Sequence, residues 1–115
     1  MNLDWNEAMT IFTDIIRLNG ETNDHCDVVV IPPAPYLRYF FETTADLNSN
    51  IQVGAQDCSA QSSGAYTGEV AASMIHSVGA AYVLVGHSER REYHRESSDI
   101  LSEKVFKVDK TKHRF

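Results

Sequence analysis

Tyr82-Val83-Leu84-Val85-Gly86-His87-Ser88-Glu89-Arg90-Arg91 is the stretch on which the fold turns. Its first four residues form a short continuous apolar run closed by a glycine, the pattern of a parallel strand buried on both faces. Gly86 lets the backbone turn tightly. His87, Glu89, Arg90 and Arg91 then open at the carboxyl edge of the strand, where the sites of α/β folds collect. A short helix starting just beyond His87 would keep its imidazole neutral, because a helix N-terminus disfavours a second positive charge. Such a ring can donate a hydrogen bond to a substrate oxygen. The same residues admit a plainer account, with a strand-end histidine satisfied locally and a salt-bridge lattice of Glu89, Arg90 and Arg91 in which at least one arginine is structural.

The segments around this stretch alternate in type. Residues 69–78 read as a helix carrying Val70, Met74 and Val78 on one face, with Gly79 placed to end it in the left-handed conformation. Ile51-Gln52-Val53-Gly54-Ala55 reads as a strand, and Asp27-Val28-Val29-Val30-Ile31, stopped by Pro32-Pro33, as a doubly buried one. At the start, Leu3, Trp5, Ala8, Met9, Phe12, Ile15 and Ile16 recur at three- and four-residue steps, which predicts an amphipathic helix over residues 3–18 that stops near Asn19-Gly20. Asp4 with Glu7 forms its capping box. Residues 36–47 form a weaker helical pattern with Pro35 in the first turn. Ile100, Leu101, Val105 and Phe106 mark a last helix running out among lysines, which suit a helix C-terminus. Helix and strand in strict alternation predict a parallel sheet with right-handed crossovers, here within a single domain.

Composition narrows the function. With 10 basic against 16 acidic residues the formal charge is −6, which argues against a broad surface for nucleic acid or anionic membrane while leaving room for one small anion. No apolar stretch approaches the roughly 20 residues that cross a bilayer. Met1 is followed by polar Asn2 and Asp4 rather than a cationic leader, so a soluble, cytoplasmic protein is expected. Cys26 and Cys58 lack metal-ligand spacing and are expected to be reduced, structural thiols. No Gly-x-Gly-x-x-Gly follows a strand, which weighs against a nucleotide-binding sheet.

Residues 56–68 form a polar segment that is long for a connection in a compact domain, so it is expected to reach toward something. Gly54-Ala55-Gln56-Asp57-Cys58 opens it and Gly64-Ala65-Tyr66-Thr67-Gly68-Glu69 closes it. With Pro32-Pro33, the decapeptide at 82–91, and Glu96, Ile100 and Lys104, these motifs resemble the triosephosphate isomerase family from about Met1 to Val105. The resemblance implies an α/β fold, a partial (β/α)8 TIM barrel of three parallel strands alternating with helices, about strands 2 to 4 of the eight. It implies interconversion of dihydroxyacetone phosphate and glyceraldehyde 3-phosphate through an enediolate, in glycolysis and gluconeogenesis, with no cofactor and no metal. His87 is then the electrophile that polarises the carbonyl and shuttles protons between its oxygens, and Glu89 the carboxylate beside it. Residues 56–69 become the dimer loop of a homodimer, with Thr67 and Gln56 at the partner's active site.

The same resemblance implies that a lysine contacting substrate, a proton-abstracting glutamate, a closing loop and phosphate-gripping loops lie outside these 115 residues. The isolated chain is therefore expected to be inactive. The alternative is a non-catalytic barrel fragment that binds a partner or itself through open strand edges. Two departures from the family pattern stand out: Asp57 where asparagine is usual, and Arg95 where glycine is usual, so the turn after Tyr93 is expected to differ.

Overall fold

The computed structural model describes residues 2–22 and 26–111. Helix α1 spans Trp5–Thr22. The Asp4 N–H donates to Glu7 Oε2 and the Glu7 N–H to Asp4 Oδ1, both at 3.0 Å, so the expected capping box is present. Ala8, Phe12 and Ile16 line its buried face. The helix does not stop at Asn19-Gly20. It runs on to Thr22, because Asn19 is buried and its side-chain amide donates to Asn50 Oδ1 at 2.6 Å, tying the last turns to the approach of the second strand.

Strands β1 (Val29–Val30), β2 (Gln52–Ala55) and β3 (Tyr82–Val83) form one parallel sheet in that order, with Val30 beside Val53 and Ala55 beside Val83. The ladders are shorter than the apolar runs that announce them. Burial on both faces is reached by the central strand, where Val53, Gly54 and Ala55 are all buried. Residues 28–31, expected to be doubly buried, are half-buried, and Leu84 is exposed, because each flanking strand has a sheet neighbour on one side among the described residues. A 3-10 turn at Ala34–Tyr36 holds Pro35 and leads into α2 (Leu37–Asp46). Phe40 of α2 stacks on Phe12 of α1 with ring centroids 3.9 Å apart, closing the core on that side of the sheet.

Helix α3 covers only Ala72–Ser77. Its expected first turn is instead extended, since Val70 O accepts from the Ser59 N–H at 2.8 Å and Ala71 has φ −72° and ψ 151°. Starting at Ala72 turns Ala72 and Ile75 inward, while Met74, expected on the apolar face, is 58% exposed. Gly79 ends the helix at φ +93°, and a Cβ there would stand 2.5 Å from the Phe41 ring. Helix α4 spans Ser88–Tyr93, and α5 spans Ser98–Lys110 with Ser97 Oγ accepting from the Ile100 N–H. The buried stripe of α5 is Leu101, Lys104 and Val108; Ile100 and Phe106 face outward, where Lys110 Nζ lies 4.2 Å from the Phe106 ring centroid. Among the described residues no helix is long and apolar enough to cross a membrane.

Candidate active site

Beyond β3 the backbone turns at Gly86, with φ +79°, and the next residue, His87, is the N-cap of α4. Its Nδ1 accepts a hydrogen bond from the Glu89 backbone N–H at 3.3 Å. An acceptor nitrogen carries no proton, so the geometry fits the neutral ring with its hydrogen on Nε2. The imidazole is 45% exposed, open to a ligand at the carboxyl edge of the sheet. Glu89 Oε2 approaches Nδ1 to 3.8 Å, but that nitrogen is already occupied by an N–H and the carboxylate is 74% exposed. Arg91 turns back, its Nε donating to Gly86 O at 3.3 Å.

Arg90 points the other way, into a cluster of four charges. Its Nε donates to Glu96 Oε1 at 2.8 Å and lies 3.0 Å from Asp57 Oδ2. Lys104 Nζ donates to Glu96 Oε1 at 2.6 Å and to Asp57 Oδ1 at 2.7 Å. Glu96 and Lys104 are both buried. Burial alone would raise the Glu96 carboxyl; hydrogen bonds from Lys104 and Arg90, and then their charges, outweigh it and hold the group below its ordinary value. The salt-bridge account of the arginines therefore holds for Arg90, but its partners are Asp57 and Glu96 rather than Glu89. Asp57 supplies the second negative charge that balances Arg90 and Lys104. Arg95 sits in the turn between α4 and α5 at φ +55°, a left-handed conformation that glycine adopts freely.

Cys58 is buried, and that burial, followed by the charge of Asp57, pushes its thiol from 9.0 up to about 11, so it stays protonated and serves as core. Cys26, in contrast, is exposed. Gln56 donates from Nε2 to Ile31 O at 3.2 Å, pinning the start of the polar segment to the end of β1. Gln56, Asp57, Cys58, Glu69 and Arg90 share a cleft of about 240 Å³ whose walls include neither His87 nor Glu89 nor Thr67. Thr67 is exposed on the loop. The expected residues thus fall into three places: His87 with Glu89, Gln56 with Arg90, and Thr67 by itself. The pairing of Asp57 with buried Lys104 was not foreseen, and the one trace of it in the sequence is a lysine on the inward stripe of α5.

The triosephosphate isomerase family model matches residues 1–114. The triosephosphate isomerase of Stenotrophomonas maltophilia (strain R551-3) is 54% identical over 78 residues, which is 68% of this chain and 30% of that protein. That of Xanthomonas oryzae pv. oryzae (strain PXO99A) is 54% identical over 79 residues, with the same shares. The chain superposes on the crystal structure of triosephosphate isomerase from Bartonella henselae with a TM-score of 0.84 at 27% identity, covering 98% of this chain and 45% of that one. It therefore spans about 30% of the length of the curated relatives it matches. Three parallel strands, each followed by helix, with a histidine capping the helix after the third, and a family match running nearly end to end lead to one conclusion: the chain belongs to the triosephosphate isomerase family.

Proposed function

We propose that the chain, acting as one unit, supplies the carbonyl-polarising part of a triosephosphate isomerase, which interconverts dihydroxyacetone phosphate and glyceraldehyde 3-phosphate through an enediolate. The observation that carries this reading is the Glu89 N–H on His87 Nδ1. It leaves Nε2–H to donate to a carbonyl oxygen, where a fixed donor gains strength as negative charge develops. The same neutral ring passes a proton between the two oxygens of the enediolate. Enolisation also needs a base at carbon. Glu89 stands on the Nδ1 side of the ring and is open to water, so the reading makes it a neighbouring carboxylate and places the base outside these residues. The 115-residue polypeptide alone is accordingly expected to show no turnover in a coupled assay.

Residues 56–69 fit the role of a loop that docks on the second subunit of a homodimer, with Gln56 fixing its root and Thr67 exposed for contact. A cytoplasmic location agrees with two cysteines that form no disulfide. The test is a chimera in which this chain replaces the matching segment of the Stenotrophomonas maltophilia enzyme. Isomerase activity is expected, and His87→Gln in the chimera is expected to lower kcat about 10²–10⁴-fold. A folded chimera whose activity ignores His87→Gln refutes the assignment.

A further inference from the structure

Helix α4 is six residues long and buries none of its side chains. Isolated helices shorter than about 12–15 residues are marginal in water, so contacts from outside must set the direction of this one. Arg90 is the single α4 residue that is not exposed. Its guanidinium grips Glu96, which leads into α5, and Asp57, which follows β2, and both carboxylates are held in turn by buried Lys104. One residue earlier the backbone of the same helix delivers the Glu89 N–H to His87.

We propose that Arg90 is a positioning residue for His87: by clamping α4 against Asp57 and Glu96 it keeps the Glu89 N–H on Nδ1 and so selects the ring tautomer that bears its proton on Nε2. The inference rests on the reading of His87 as the polarising imidazole and adds what sets its tautomer. The two neutral tautomers of imidazole lie close in energy in water, so one backbone hydrogen bond of ordinary strength shifts their ratio about two- to tenfold. Arg91 is the natural comparison, because it is exposed and its side chain bonds Gly86 O rather than the charged cluster.

The experiment is nitrogen-15 NMR of the His87 ring in the 115-residue chain at a pH where the ring is neutral, with Arg90→Met, Asp57→Ala and Arg91→Met beside it. Far-UV circular dichroism selects the variants that fold. Expected are an Nε2–H ring in the unaltered chain, an Nδ1–H fraction raised about two- to tenfold in Arg90→Met, and a near-unchanged ratio in Arg91→Met. Exchange of the Glu89 amide should speed up in Arg90→Met while the amides of α5 keep their protection. Where Arg90→Met does not fold, Asp57→Ala removes one of the two carboxylates that hold Arg90 and is read in the same way. An unmoved ratio in the folded variant, or an equal shift in Arg91→Met, overturns the proposal while leaving the reading of His87 intact. An unaltered chain that carries its proton on Nδ1 overturns both.

Discussion

Ala8, Phe12 and Ile16 turn one face of α1 into the core and the Phe12 ring lies flat on Phe40, whereas α4 buries nothing and is reached through the guanidinium of Arg90. Apolar contact is non-directional and scales with the area removed from water, so α1 is secured without any single bond deciding its angle. A guanidinium N–H held between two carboxylates is directional, which suits a helix whose second amide meets one particular nitrogen. The cost is a dependence on protonation and on every member of the cluster being present, which a phenyl stack does not share. The two helices are thereby held by different physics, one by buried rings and the other by paired charges.

That contrast can be broken or sharpened by measurement. Phe12→Ala should lose about 3–5 kcal/mol in urea unfolding, because it removes a fully buried ring and strands Phe40. A loss under about 1 kcal/mol would mean that the phenyl stack does not anchor α1. Lys104→Met keeps the length of the side chain but leaves Asp57 and Glu96 facing Arg90 alone, and about 3 kcal/mol should be lost on the same scale. Neutrality there would show the cluster to be replaceable by apolar packing. The smallest effect concerns pH. Glu96 is held below its ordinary value of 4.5, so the stability it contributes is present above that value and is lost as pH falls through its lower folded-state value. Acid titration of stability should therefore be steeper in the unaltered chain than in Glu96→Gln, and equal slopes would remove Glu96 from the account.

Local signals in the sequence carried far. The Asp4 and Glu7 pair, the glycine at 79, the three apolar runs and the histidine after the third all stand where spacing and residue type place them, because each depends on neighbours a few positions away. What escaped depends on distance along the chain. Asp57 and Lys104 are 47 residues apart and meet only after β2 and α5 pack, so no window of sequence contains both. Lys104 did leave a mark, being three residues after Leu101 and four before Val108 on the inward stripe, where a charge is costly unless paired. Met74 misled because α3 begins late: the bond from Ser59 to Val70 extends the residues that periodicity had assigned to its first turn. Asn19 hid the true end of α1 in the same way, through an amide partner at position 50.

The polar segment after β2 is fastened to itself. Ser59 meets Val70 across its base, the Gln61 N–H is taken by Ser59 Oγ, and the Tyr66 and Glu69 amides close successive turns within it. A surface that receives this loop meets a shape already set, so the conformational freedom usually surrendered at contact has been given up during folding. On the proposed reading of this loop as a docking element, substitutions that loosen Ser59 would weaken association by making docking and ordering happen together.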